Sequence, residues 1–153
     1  MEIILGSQSP RRRELMAGLD LPFTAISIDA DETYPPDLQA GDIPYYISRA
    51  KAHAYETALT ENQLLITADT IVWLEGRMLG KPHGEDEAVE MLQALRNKTH
   101  QVYTAVSFAQ KGREDLFQLL QRTDLGKIHK QSLPNTIIWI LYTIPLQISS
   151  KFL

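Results

Sequence analysis

The amino-acid sequence predicts an α/β protein in which a mixed, twisted sheet is flanked by helices. Short apolar segments with strand character alternate with segments whose apolar residues recur at helical spacing. Two strand-like segments are separated only by Glu75 and Gly76, which is typical of a β-hairpin and hence of a sheet that is not purely parallel. With 153 residues, 44% hydrophobic and 22% charged, the chain has the size and composition of a folded domain.

The first part of the chain is predicted to alternate strand and helix. The predicted elements are a strand over 2–5, a helix over 10–19 capped by Ser9, a strand over 23–28 and a helix over about 43–59 capped by Asp42. Pro10 at the first helical position suits a helix start. The second helix repeats small apolar residues at helical spacing, which predicts its inner face. These residues are Ile47, Ala50, Ala54 and Ala58.

The next elements begin with the hairpin, whose strands are predicted over 64–74 and 77–79. A third helix is expected from Glu85, because three acidic residues in its first turn complement the helix dipole and apolar residues follow at helical spacing. Those apolar residues are Ala88, Met91, Leu92 and Leu95. Residues 100–110 alternate in the manner of a long strand.

Composition excludes several classes of protein. The absence of cysteine rules out disulfide scaffolds, thiol nucleophiles and thiolate metal sites. A net charge of −4 argues against nucleic acid or a membrane surface as the main partner. The most apolar stretch, 136–148, is shorter than a membrane span and contains Pro145, and no secretory signal precedes the first strand. We therefore expect a cytoplasmic protein.

The composition changes near residue 125. Residues 1–110 carry a net charge of −7, whereas residues 111–153 carry +3. From 125 to 153 there is no acidic residue, but there are six isoleucines. This predicts a domain over 1–124 and an atypical apolar tail over 125–153, which is either a buried strand pair or the product of out-of-frame translation.

Three groups of residues could carry chemistry. Residues 6–13 combine glycine, two serines and three arginines between a strand and a helix, which favours a phosphate site but also fits a simple helix cap with solvated arginines. Asp69 lies inside an apolar run, where a carboxylate needs a partner, a metal or backbone amides. Asp31 and Glu32 suit Mg²⁺ or Mn²⁺ but also a solvated loop. Lys51 and Lys81 could each neutralise phosphate or lie at the surface.

Together these pieces resemble the Maf family of nucleoside triphosphate pyrophosphatases, which shares a central-cleft architecture with the inosine triphosphatase-like (Ham) enzymes. The matching segments are 5–12 with Glu14 and Leu15, the pair Asp31 and Glu32, 49–52, 68–72, 80–82 and 100–106. The resemblance implies hydrolysis of dTTP and UTP with a divalent metal. It also implies a homodimer, and a nucleotide-binding protein in septum control, without useful catalysis, is the alternative.

The resemblance also implies roles for individual residues. Asp69 would be the catalytic carboxylate, and Asp69 and Glu32 would hold the metal, Mg²⁺ or Mn²⁺. The implied substrate-binding residues are Ser7, Arg11, Arg12, Lys51, Thr70 and Lys81. Arg12 and Thr70 are the residues that mark the dTTP- and UTP-cleaving subgroup. The family's C-terminal glutamine, its Asp-Lys-Ala-Gly signature and its closing Gly-Leu-Pro element have no match here. The resemblance therefore implies an incomplete Maf-like nucleotide pyrophosphatase domain over 1–124.

Overall fold

The computed structural model describes the backbone of residues 1–125, with side chains over 1–112 and at Arg122. The elements are β1 (Glu2–Gly6), α1 (Pro10–Ala17), β2 (Phe23–Ile26), α2 (Asp42–Glu56), β3 (Gln63–Leu74), β4 (Arg77–Leu79), α3 (Glu85–Leu95), β5 (His100–Gln110) and β6 (Arg113–Leu125). Each helix and strand predicted up to residue 110 is present, and β6 is an additional strand. The predictions for the tail beyond residue 125 lie outside the described residues.

The described strands form a mixed sheet, as predicted. Their order is β2-β1-β3-β5-β6, with β4 paired to β3 off this path. β1 runs parallel to both β2 and β3, so that Leu5 pairs with Ala25 on one side and Ile66 on the other. The β3–β4 pair is antiparallel. Its two-residue turn has positive φ at both Glu75 (48°) and Gly76 (83°), which is the conformation that a tight hairpin requires.

The first of two compact units comprises Met1–Thr70 and Thr104–Gln121. Its core lies where α2 packs on the strands, and a cluster of buried apolar side chains fills it. The cluster contains Ile4, Ala52, Leu59, Leu65 and Ala109. Burial of these side chains is what holds α2 against the strands.

Within the described residues, the second unit comprises Ile71–Tyr103 and 122–125. Leu95 of α3 packs with Val72, Leu74 and Val102 of the strands, and Leu92 lies against this cluster. The apolar spacing predicted for α3 is therefore the face that it buries. Within the described range, no helix combines the length and apolar character needed to cross a membrane.

The predicted inner face of α2 was wrong at its alanines, whereas Ile47 is buried as predicted. Ala54 is exposed and Ala50 is half-buried, and the helix ends at Glu56, before Ala58. The buried side chains are Ile43, Pro44, Ile47, Ser48 and Ala52. Alanine is too small to dictate which side faces a core, so the two isoleucines set the orientation. The helix begins at Asp42, and its N-cap is Gly41 rather than the predicted Asp42.

The helix α1 begins as predicted, with Ser9 at the N-cap and Pro10 first, but it ends at Ala17. The Ser9 side chain makes no capping hydrogen bond. Before this helix, β1 ends at Gly6, where any Cβ would collide with Ile28 and lie 3.0 Å from Thr67 Cγ2. A larger residue at this position would require the end of the Ile28 side chain to move.

Candidate active site

Asp69 is the central residue of the candidate site. It lies on β3, and only 15% of its side chain is exposed. Because side chains alternate along a strand, Thr67 and Asp69 lie on the same side of β3. Both side chains contact α2. Thr67 donates to a carbonyl of α2, and Asp69 Oδ1 accepts a hydrogen bond from Lys51 Nζ at 3.0 Å. The expectation that this carboxylate needs a partner is confirmed.

Lys51 carries the ammonium group that two carboxylates share. Its Nζ lies 3.0 Å from Asp69 Oδ1 and 2.9 Å from Glu32 Oε1. The side chain is 13% exposed, whereas that of Glu32 is 45% exposed. Lys51 is thus not a surface lysine. The ordering of α2 by its buried isoleucines places this residue against β3 rather than in solvent.

Burial raises the pKa of the Asp69 carboxyl above its ordinary value. The positive charge and hydrogen bond of Lys51 act in the opposite direction, as does the charge of Arg12, and the nearby negative charge of Glu32 adds to the increase. The effect of burial on the pKa of Asp69 is larger than the combined effect of the two cations. The result is a carboxylate that is more basic than an exposed aspartate but still held beside positive charge.

Arg12 joins α1 to the strand that carries Asp69. Its Nη1 donates to the Ala68 carbonyl at 2.8 Å, and its Nη2 donates to Thr70 Oγ1 at 3.3 Å. Burial lowers the pKa of the Arg12 guanidinium, while the charges of Asp69 and Glu32 raise it. An arginine remains charged under such a shift. The structure therefore places a fixed positive charge within electrostatic range of the catalytic candidate.

The three consecutive arginines point in different directions, because successive helical residues are rotated by about 100°. Arg11 is exposed and pairs with Glu14 at 3.0 Å. Arg13 donates to the side-chain oxygen of Gln8. Of the three, Arg12 is the one bonded to β3. Substrate binding by Arg11 and Arg12 stays a prediction.

The two acidic residues of the loop before α2, Asp31 and Glu32, also make different contacts. Asp31 Oδ1 accepts from the Thr33 N–H at 2.9 Å, and this bond lowers the pKa of the Asp31 carboxyl. Asp31 thus forms a local turn at the surface. Glu32 instead reaches Lys51, so of the two it is the one that joins the Asp69 cluster.

Two further predicted residues take other positions. Ser7 is buried after β1, and its Oγ accepts the Ser9 N–H at 3.2 Å. Lys81 is exposed in the loop after β4 and belongs to the second unit. Substrate binding by both stays a prediction.

Buried hydroxyl groups that sequence reasoning missed hold α2 to the strands. Thr67 Oγ1 donates to the Ser48 carbonyl at 2.7 Å. Ser48 Oγ donates to the Tyr45 carbonyl at 3.1 Å and lies at hydrogen-bond distance, 2.8 Å, from Ser107 Oγ. Ser48 precedes Lys51 by about one helical turn, so this network fixes the segment that carries the ammonium group. The signal available in the sequence was a polar residue among apolar residues on each of these helices and strands.

The carboxylates of the candidate site suit a divalent cation that binds together with a phosphate ligand. Among the side chains that the structure describes, those of residues 1–112 and Arg122, no group of three or more Asp, Glu and His residues could hold a metal by itself. Glu32 and Asp69, however, converge on a single positive charge, the Lys51 ammonium. Mg²⁺ commonly binds through one or two carboxylates together with substrate phosphates and water. The two carboxylates therefore fit a metal that arrives with a phosphate ligand.

Comparison with known proteins identifies similar chains. A family model described as "Maf-like protein" matches residues 2–139. The chain is 56% identical over 106 residues to a dTTP/UTP pyrophosphatase of Bacteroides thetaiotaomicron, an alignment that covers 69% of this chain and 55% of that protein. It is 42% identical over 133 residues to the dTTP/UTP pyrophosphatase of Phocaeicola vulgatus, covering 86% of this chain and 69% of that one. In the first of these matches, the chain spans about half the length of its curated relative.

The fold is similar to that of the Staphylococcus aureus Ham1 protein. The TM-score is 0.56 at 18% sequence identity, and the match covers 84% of this chain and 74% of that one. Similarity at this level of identity concerns the fold alone. It confirms the predicted Ham-like α/β architecture.

Proposed function

The chain belongs to the Maf-like protein family, and from this premise we propose that it hydrolyses dTTP and UTP to the nucleoside monophosphate and pyrophosphate. The relatives described above carry that activity in their names. The observation that supports the proposal most directly is the buried Asp69 carboxylate, held by Lys51 and beside the charge of Arg12. Such a group can receive a proton next to cations that suit a polyphosphate.

Asp69 would act as the proton acceptor for the attacking water. Its pKa is raised by burial, which makes the carboxylate a stronger base than an exposed aspartate while leaving it ionised once the pH exceeds that pKa. The water proton would pass to Asp69, the water oxygen would bond to phosphorus, and the anhydride between the α and β phosphates would break, with pyrophosphate as the leaving group.

The substrate would be held by positive charge and hydroxyl groups. Lys51 and Arg12 are preorganised next to Asp69, so their charges can stabilise the negative charge that develops on phosphate oxygens. Ser7, Arg11 and Lys81 would add donors to the triphosphate. Arg12 and Thr70, which are hydrogen-bonded to one another, would select pyrimidine triphosphates.

Glu32 and Asp69 would hold Mg²⁺ or Mn²⁺. When bound, the metal would neutralise phosphate charge and orient the substrate. Lys51, which neutralises the same two carboxylates, would then be able to bind a phosphate oxygen instead. The proposal also includes a cytoplasmic location, a homodimer, and the absence of nucleic acid or membrane as partners.

The test compares the full chain with its Asp69→Asn variant. We expect pyrophosphate release from dTTP and UTP in the presence of Mg²⁺ or Mn²⁺, little release from 7-methyl-GTP, and loss of release on chelation. Asp69→Asn should lower kcat by about 10²- to 10⁴-fold, the usual contribution of a general base. Asp31→Asn is the matched control, because Asp31 is exposed in the same loop as Glu32 but bonds Thr33, and it should leave turnover unchanged.

Turnover that survives Asp69→Asn would contradict the assigned role. A folded wild-type chain that binds dTTP tightly and releases no pyrophosphate would favour the alternative, a nucleotide-binding protein without catalysis.

A further inference from the structure

We propose that Thr104 is a positioning residue for Arg12 and acts through the hydroxyl group of Thr70. The inference rests on the proposed function, since it concerns how the substrate site keeps its arginine in place. Thr104 lies on β5 and Thr70 on β3, both in the first unit. Thr104 itself has no predicted contact with substrate.

A continuous chain of hydrogen bonds connects the three residues. Arg12 Nη2 donates to Thr70 Oγ1 at 3.3 Å, and Thr70 Oγ1 lies 3.0 Å from Thr104 Oγ1. The second corner of the guanidinium, Nη1, donates to the Ala68 carbonyl at 2.8 Å. The arginine is therefore attached to β3 at two points, and one of them depends on the orientation of a hydroxyl group.

The donors and acceptors determine what each hydroxyl does. A guanidinium can only donate, so Thr70 Oγ1 must accept from Arg12. The single hydroxyl proton of Thr70 is then directed away from Arg12, and Thr104 Oγ1 lies at hydrogen-bond distance to accept it. In this arrangement each bond polarises the next, so acceptance by Thr104 strengthens the bond from Arg12 to Thr70.

The orientation of Arg12 matters because of where its two attachment points lie. Ala68 and Thr70 flank Asp69 on β3, so a rotation of the guanidinium about the Ala68 contact changes the direction of its remaining N–H donors beside Asp69. A 3.3 Å bond is the weaker of the two attachments. Without Thr104, the Thr70 proton would need another acceptor, and the threonine would turn its lone pairs away from Arg12.

The test removes the hydroxyl group of Thr104 while keeping its shape. Thr104→Val should lower kcat/KM for dTTP by about tenfold, the usual effect of one lost hydrogen bond, and should lower the ratio of kcat/KM for dTTP to that for GTP by a similar factor. Thr104→Ser, which keeps the hydroxyl, should restore both values to within about twofold of wild type. Thr24→Val is the matched control, because Thr24 is exposed on strand β2 of the same unit.

A double-mutant cycle then tests the route. If Thr104 acts through Thr70, Thr104→Val should have no further effect on nucleotide selectivity in a Thr70→Val background. Circular dichroism and thermal melting would verify folding, and Thr104→Ala, which cannot overpack the site, would replace Thr104→Val if the latter does not fold.

The outcomes separate the two proposals. Unchanged selectivity in Thr104→Val, or equal effects of Thr104→Val with and without the Thr70 hydroxyl, would overturn the positioning role while leaving the proposed function intact. Absence of both turnover and dTTP binding in the wild-type chain would overturn the proposed function and this inference with it.

Discussion

At the scale of single residues, the site depends on one ammonium group between two carboxylates. Lys51 Nζ is within 3.0 Å of both Asp69 and Glu32, and Asp69 is nearly buried. Burial raises the pKa of Asp69, and Lys51 limits that increase. The state in which Asp69 can accept a proton is therefore maintained by a neighbouring cation at ordinary pH.

We expect Lys51→Met to raise the pKa of Asp69 further, because the substitution removes both the charge and the hydrogen bond that lower it. A general base works only when deprotonated, so the acid limb of the pH profile of kcat/KM should move to higher pH. The measurement is that profile together with an NMR titration of the Asp69 carboxyl carbon. Lys98→Met serves as the control, since Lys98 pairs with Glu75 at 2.7 Å on the surface. An Asp69 titration that is unchanged, or moves to lower pH, would refute this account.

At the scale of secondary structure elements, α2 and β3 carry the two halves of the ion pair. Near that ion pair, two contacts hold α2 to the strands. The Thr67 hydroxyl of β3 donates to the Ser48 carbonyl at 2.7 Å, and Ser48 lies 2.8 Å from Ser107 of β5. All three hydroxyl-bearing residues are fully buried. Directional bonds of this kind fix one packing arrangement of helix and strand more exactly than apolar contacts do.

Thr67→Val should destabilise the chain by about 0.5–1.5 kcal/mol, because it removes one buried hydrogen bond with little change in volume. It should also lower kcat/KM for dTTP, since α2 loses a restraint near Lys51. Urea denaturation and steady-state kinetics would measure the two effects, with the exposed strand residue in Thr24→Val as reference. A variant as stable and as active as the reference would show that the Thr67–Ser48 bond does not hold the helix in place.

At the scale of the whole molecule, two buried titratable groups make stability depend on pH in opposite directions. His100, in the second unit, is 1% exposed, and neither ring nitrogen completes a hydrogen bond of normal geometry with the residues that the structure describes. Burial lowers the pKa of His100 below 6.5, although the nearby Lys98 backbone opposes this in part. Asp69, in the first unit, has its pKa raised above 3.8.

The free energy of unfolding should therefore decrease as the pH falls through 6.5, because the unfolded chain protonates His100 there while the folded chain resists. Between the raised pKa of Asp69 and 3.8, the folded state takes up a proton before the unfolded state does, so Asp69 contributes in the opposite direction. Urea denaturation at a series of pH values would measure both effects. His100→Phe should remove the decrease near 6.5, whereas the same substitution at the exposed His83 should not. Persistence of the slope in His100→Phe would assign it to other groups.

The sequence by itself determined the order of helices and strands, the mixed character of the sheet, and Asp69 as the acid in need of a partner. These features follow from local causes: apolar spacing, turn residues at Glu75 and Gly76, and the cost of placing a carboxylate in an apolar strand. Only the tertiary structure showed which contacts surround that carboxylate. It joins Arg12 to β3 and Glu32 to Lys51, two residues that the resemblance to the family also singles out.

The tertiary structure also showed that the alanines of α2 do not form its buried face, and it revealed the hydrogen bonds between hydroxyl groups. Both features depend on contacts between residues far apart in the chain. Thr104 and Thr70 are separated by 34 positions and meet only when β3 and β5 lie in one sheet. The spacing of residues within one helix or strand does not indicate which residues of another strand they will contact. The physical reason is that hydrogen bonds and ion pairs are short-ranged, so their partners are chosen by packing rather than by local sequence.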